Sequence, residues 1–440
     1  MSNRDYMNSK TFCPYPWISI MTQPTGAANF CCVAREQFKN DDGTMFNLNK
    51  GDKIEQVWNS NHMREVRKQM ATGENVPQCT RCYDQEDMGF PSYRNNYIRD
   101  WFEYSPYGEK IHEIIEKSIE NDYHVEEPPM YLDFRLGNMC NLKCRMCQPQ
   151  NSSQIHKEYT KINNEDPIKG KFIKEHFTWG HFADDVTPWQ DDPDFLRQVE
   201  DWLPGVNRLY FTGGEPTIIE RVYWIMEKCV EMGISKNIDL VFNSNMTNVQ
   251  KRFIDLVEQF KSVLMCVSVD AYGHENEYIR GASHWSQVDK NIRKYCASNV
   301  VGTVSFSPVI QIYNILTITK LLDYCEQLEK EYGREIWVTF LICDYPTSLD
   351  FRNCPDNVRQ VAIERLENWL ESSEILAKRD INKQTVTATI NALKERRNEH
   401  WRKELQVFEK YTKMLDKVRD EDMADAFPEL WSLMYGRQEN

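Results

Sequence analysis

Tyr131-Leu-Asp-Phe-Arg-Leu-Gly137-Asn-Met-Cys140-Asn-Leu-Lys-Cys144-Arg-Met-Cys147 sets a short, largely apolar strand directly before a loop of the form CxxxCxxC. Working outward from it, short apolar stretches at 131–137, 208–213, 238–245, 263–271, 303–312 and 336–342 alternate with amphipathic helical stretches at 218–231, 248–260, 285–298 and 315–332. Strands that alternate with helices of this length signal βα units and a parallel sheet. Six such units are too few for a closed eight-fold barrel and suit an open, partial one, a (β/α)6 arrangement in the α/β class. Folds of this kind place their sites on the loops at the carboxyl ends of the strands. The cysteine run lies on the first of those loops.

Three closely spaced thiolates can hold three irons of a 4Fe-4S cube and leave the fourth iron without a protein ligand, open to a small molecule. Three cysteines could equally join a histidine around zinc, or simply be buried. The chain has 14 cysteines. Eight fall in local groups before residue 150: Cys13; Cys31 and Cys32; Cys79 and Cys82; Cys140, Cys144 and Cys147. Cys229, Cys266, Cys296, Cys325, Cys343 and Cys354 are isolated and read as small core residues.

At 440 residues with 41% hydrophobic content, the chain can bury two or three domain cores. Its 53 basic and 67 acidic residues leave a formal charge of −14, which argues against a phosphate backbone or an anionic membrane as main partner. No apolar run approaches the roughly 20 residues of a membrane span. The first dozen residues lack the apolar segment of a secretory signal. The expected setting is the cytoplasm, where a disulfide framework would not explain so many cysteines.

Residues 1–128 do not alternate and are read as a smaller domain, with short strands near 17–22 and 28–33 and a charged helical run at 54–72. Residues 129–350 form the barrel, interrupted by a polar and aromatic insertion at 151–203 that contains Trp179 and Trp189. From 351 to 440 the chain is charged and helical, as an extension over the outside or edge of the barrel.

The three-cysteine loop after the first strand resembles the signature of the radical S-adenosylmethionine (radical SAM) superfamily, and the later motifs follow in that family's order. Thr212-Gly213-Gly214-Glu215-Pro216 closes the second strand like the family's GGE segment, where backbone and glutamate hold the cofactor's methionyl amine. Glycines allow close backbone approach, and a carboxylate suits an ammonium. Asn243-Ser244-Asn245-Met246 is similar to the family's Thr-Asn-Gly segment by the ribose, with methionine in place of glycine. Ser268 and Asp270, followed by Arg280-Gly281, resemble the S-x-D … R-G segment, in which serine and arginine bind ribose and carboxylate. Gln311, Ile312 and Asn314 end the fifth strand, which in relatives flanks the adenine, and Met146 stands where many relatives have an aromatic residue. The resemblance implies cofactor contacts at Gly213, Gly214, Glu215, Ser244, Asn245, Ser268, Arg280, Met146 and Ile312, and makes Asp270 a catalytic candidate; on its own, the Asp270–Arg280 pair reads equally as a structural salt bridge.

The implied chemistry is reductive cleavage of S-adenosylmethionine to methionine and a 5′-deoxyadenosyl radical, which removes a substrate hydrogen atom. The amino-terminal cysteines resemble SPASM and twitch modules, which carry an auxiliary 4Fe-4S cluster. That implies Cys13, one of Cys31 and Cys32, Cys79 and Cys82 as its four ligands, with the spacing from Gly26 favouring Cys31. A four-cysteine zinc site is the alternative. Two 4Fe-4S clusters and S-adenosylmethionine are thus the expected cofactors, with a reductant such as flavodoxin or ferredoxin. The substrate is expected to be a peptide or protein side chain, or else a small molecule undergoing dehydrogenation. A metal-binding or electron-transfer module without turnover is the remaining alternative.

Overall fold

In the computed structural model, the structure describes residues 4–87, 92–178, 188–395 and 399–436. Eight strands form one sheet: β1 (Ser19–Thr22), β2 (Ala28–Asn29), β3 (Tyr131–Phe134), β4 (Arg208–Phe211), β5 (Asp239–Ser244), β6 (Ser262–Val267), β7 (Gly302–Phe306) and β8 (Ile336–Val338). Their spatial order is β8-β7-β6-β5-β4-β3-β1-β2, and every neighbouring pair is parallel except β1 with β2. All six expected βα strands are present.

Register explains the alternation in sequence. Leu132, Leu209, Leu240 and Val263 are consecutive cross-strand partners, and all are buried. Phe211 and Phe242 lie on the same face, and Phe242 packs edge-on against Phe253 of the helix Lys251–Val257. This face forms the core beneath the helices. The opposite face carries Asp133, Tyr210 and Asn243, with the Asn243 amide donating to the Tyr210 hydroxyl at 2.8 Å.

Two expected strands are shorter than their apolar runs. The run at 303–312 divides into β7 and a two-residue strand, Val309–Ile310, around Pro308, which has no N–H to donate to a ladder. The run at 336–342 divides likewise, and its second piece, Leu341–Ile342, pairs with Val309–Ile310. The helical run at 54–72 is two helices, Ile54–Trp58 and Asn61–Thr72, because the Ser60 hydroxyl accepts from the Met63 N–H and caps the second.

The amino-terminal region joins the barrel's sheet through β1, which pairs in parallel with β3. Around that joint, fully buried Arg67 donates to the carbonyls of Pro16, Trp58 and Tyr123 at 2.8, 2.8 and 3.0 Å. In the insertion, Trp189 is buried and donates to Pro24 O, whereas Trp179 lies outside the described residues.

At the other edge, the helix Asp380–Lys394 covers β8: the Asn382 carboxamide accepts from Val338 N–H at 2.9 Å, and the Thr385 hydroxyl accepts from Phe340 N–H at 2.7 Å. An exposed edge is thereby closed by side chains. Replacing fully buried Asn382 by leucine removes that acceptor and leaves a buried N–H unpaired, at a cost of about 1–3 kcal/mol. A thermal midpoint lower than the parent's is expected, and an unchanged midpoint contradicts the assignment.

Candidate active site

The three-cysteine loop is held from below and from the side. Below it lies the Gly213-Gly214 turn at the end of β4, where Glu215 N–H donates to Met139 O at 2.8 Å and Gly214 N–H donates to Gly137 O at 3.3 Å. A Cβ on Gly214 would stand 2.0 Å from Met139 O, and Gly213 has φ +110°. The glycine pair is therefore required by the cysteine loop's own backbone, a reason the sequence did not disclose.

From the side, Lys143–Cys144 pairs antiparallel with Arg280–Gly281, which sets Cys144 opposite Arg280. The Arg280 Nη1 lies 3.9 Å from the Cys144 sulfur. Arg280 itself is held by fully buried Asp270, with Nη2 donating to Oδ1 at 3.0 Å and Nε 2.8 Å from Oδ2. Asp270 Oδ1 also accepts from Val309 N–H, and its carbonyl accepts from the Asn314 amide. The aspartate orients the arginine and is enclosed.

Glu215 is buried, and its carboxylate takes four hydrogen bonds: from the Ser244 hydroxyl at 2.9 Å, Asn245 N–H at 2.7 Å, Thr217 N–H at 3.1 Å and the Thr217 hydroxyl at 2.7 Å. Burial pushes its carboxyl up from the ordinary range, and these donors pull it partly back. Oε1 takes three of the four bonds, so acceptor capacity remains on Oε2. Glu215 thereby locks the end of β4 to the end of β5. At Met246, where the glycine of the resembling segment is replaced, the backbone still adopts φ +57°. Ser268 follows β6, half-buried, with its N–H on Ser244 O at 2.7 Å.

The structure thus brings together Cys140, Cys144, Cys147, Gly213, Gly214, Glu215, Ser244, Asn245, Ser268 and Arg280 around the ends of β3 to β6. Met146 lies within the loop, half-buried. Ile312 is fully buried, with its N–H on Leu349 O at 2.9 Å. The residues fit a metal cluster with a bound small molecule on two counts. Three thiols on one short loop are the donor set of such a cluster, and burial raises all three, Cys140 up to about 12. In addition, the buried side-chain amide of Gln150 and the Oε1 of Gln311 have no hydrogen-bond partner among the described residues. Buried polar groups are ordinarily paired, and these await a partner.

A second site lies in the amino-terminal region. Cys13, Cys31, Cys79 and Cys82 line one small cavity with Phe30, Gln78, Arg94 and Tyr97. Cys32 does not line it; its sulfur lies 3.5 Å from the Tyr97 hydroxyl. The helix Thr80–Asp87 carries Cys82, and Arg94 ties it to the segment carrying Cys13: its Nε donates to Glu86 at 2.9 Å and its Nη1 to Phe12 O at 2.9 Å. Arg94 ends a stretch just after the CxxC pair that reads from the sequence as structural, and it bridges segments about 80 residues apart.

A family model described as the radical SAM superfamily matches residues 134–325, and one described as an iron–sulfur cluster-binding domain, SPASM, matches residues 13–83. The chain carries a radical SAM domain and, before it, a SPASM module. The SPASM match spans all five amino-terminal cysteines, and the radical SAM match spans the three-cysteine loop. Among solved structures, the chain is similar to Streptococcus suis SuiB bound to S-adenosylmethionine, at 14% identity and TM-score 0.36, covering 71% of this chain and 64% of that one. SuiB bound to the precursor peptide SuiA gives 14% identity and TM-score 0.36, covering 70% of this chain and 63% of that one. The chain therefore spans less than two thirds of the length of these structures. No curated protein matches it. Among the described residues, no helix is long and apolar enough to cross a membrane.

Gly214→Ala tests the turn. The added methyl must displace the Met139 carbonyl, so the variant should fail to load metal on the three-cysteine loop while the amino-terminal site loads as in the parent. Iron analysis after anaerobic reconstitution checks this, and a full complement of iron contradicts it.

Proposed function

We propose that the chain is a radical S-adenosylmethionine enzyme in which Cys140, Cys144 and Cys147 hold a 4Fe-4S cluster and Cys13, Cys31, Cys79 and Cys82 hold a second. The observation that carries this reading is the convergence of the three-cysteine loop, the Gly-Gly-Glu turn and Arg280 at one end of the sheet. When bound, the first cluster supplies one electron that cleaves S-adenosylmethionine to methionine and a radical able to take a hydrogen atom from substrate.

The protein's own groups account for binding and orientation. Glu215 Oε2 and the backbone of the Gly213-Gly214 turn offer acceptors for an ammonium. Ser244, Asn245 and Ser268 sit at the ends of adjacent strands, where they can meet ribose hydroxyls. Arg280 brings a positive charge beside Cys144 and is held there by Asp270. Four thiols around one cavity saturate the second cluster.

The division into an auxiliary-cluster region at 1–128, a barrel at 129–350 and a helical extension belongs to this reading. So do a flavodoxin- or ferredoxin-type electron donor and hydrogen abstraction from a peptide or protein side chain. The same chemistry on a small molecule is the second reading.

Anaerobically reconstituted protein should hold about eight irons and eight sulfides per chain, and the Cys140→Ala/Cys144→Ala/Cys147→Ala variant about four of each. Under reductant the parent should release 5′-deoxyadenosine from S-adenosylmethionine and the variant none. Zinc at the amino-terminal site would overturn the auxiliary-cluster assignment, and no 5′-deoxyadenosine from fully loaded parent would overturn the enzyme assignment. Cys79→Ala/Cys82→Ala should still release some 5′-deoxyadenosine while forming no product. Normal product formation by that variant would show that the second cluster has no part in turnover.

A further inference from the structure

Within the CxxxCxxC loop, Arg145 turns its side chain away into the carboxy-terminal extension. It is fully buried, with Nε donating to Tyr278 O at 3.0 Å and its guanidinium 3.7 Å from the centre of the Tyr278 ring. Its Nη2 reaches Asp416 and Glu421, each at 2.6 Å. The loop's backbone is gripped as well, because the Tyr411 hydroxyl donates to Arg145 O at 2.6 Å. Tyr411 and Asp416 belong to the helix Trp401–Arg419, and Glu421 follows it.

A second grip comes from Arg419, the last residue of that helix. Its Nε and Nη2 donate to Glu158 at 3.2 and 2.7 Å, and Glu158 also lies 3.3 Å from the Lys143 ammonium. Both side chains of the Arg419–Glu158 pair are 5% exposed. The remaining nitrogen, Nη1, has no hydrogen-bond partner among the described residues. It lies against Gly281, where a Cβ would stand 2.8 Å away, and Gly281 and Arg280 are the register partners of Lys143 and Cys144. Arg419 is thus set beside the short ladder that carries Cys144.

A helix that merely covered a barrel would use apolar side chains there, because burying paired charges costs desolvation that packing does not. We propose that the helix Trp401–Arg419 is a working part of the three-cysteine site: Arg145 is the positioning residue that anchors the loop to it, and Arg419 supplies a fixed positive charge that eases reduction of the cluster. This rests on the reading of Cys140, Cys144 and Cys147 as iron–sulfur ligands. Positive charge beside a cluster favours its reduced, more negative state.

The test uses the full chain, reconstituted anaerobically, with an EPR-monitored redox titration of the cluster whose signal changes on adding S-adenosylmethionine. Arg419→Gln should keep the parent's iron content, yet at a fixed potential its reduced-to-oxidised ratio should fall about tenfold, a 59 mV shift for one electron. Arg419→Lys should stay close to the parent. Asp416→Asn/Glu421→Gln, which removes both charges on Arg145 without changing volume, should lose the responsive signal while the amino-terminal site keeps its iron. An unchanged potential in folded, loaded Arg419→Gln overturns the proposal, as does a parent-like signal in the double variant; should Arg419→Gln not fold, the double variant decides alone. A parent chain with no responsive cluster would instead refute the reading of the three cysteines.

Discussion

Gly214 has no side chain because the carbonyl of Met139 occupies the place where one would be. The candidate site depends on this contact between the cysteine loop and the end of β4. The loop reaches the ladder with Arg280 only after crossing the Gly-Gly turn, and the same turn delivers Glu215 to the donors at the end of β5. The order of strands in the sheet makes the contact possible, since β3, β4 and β5 are immediate neighbours and end at the same side. Motifs about 70 and 100 residues after the first cysteine are therefore close in space.

The two cysteine sites are built in different ways. In the barrel, one loop carries all three thiols, and neighbouring elements fix its shape. In the amino-terminal region, the four thiols come from segments spread over residues 13–82, and they meet because β1 extends the barrel's sheet while Arg94 fastens the Cys82 helix to the segment before Cys13. A site of the first kind survives local changes elsewhere, whereas one of the second kind depends on the tertiary structure of its whole region.

This difference explains what could be read from the sequence. Parallel strands buried on one face leave apolar runs, so β3 to β8 were legible from 131–137 through 336–342. Their ends were not, since Pro308 and the capping hydroxyl of Ser60 cut runs that look continuous. The three-cysteine loop was legible because its ligands are local. The anchoring of Arg145 to Asp416 was not, because about 270 residues separate partners that share no motif. Asp270 shows the limit from the other side: the sequence identifies a carboxylate near an arginine, and only the fold shows it enclosed against Arg280 and Val309. The glycine pair was read as room for a ligand, and it is room for the chain's own backbone.

The central claim is that the iron held by Cys140, Cys144 and Cys147 has an open position while the amino-terminal cluster has none. Mössbauer spectroscopy of iron-57 protein, recorded with and without S-adenosylmethionine, tests it most directly. The account predicts that one iron in about eight changes its isomer shift on adding S-adenosylmethionine, and that this site vanishes in Cys140→Ala/Cys144→Ala/Cys147→Ala. Identical spectra with and without S-adenosylmethionine would contradict it.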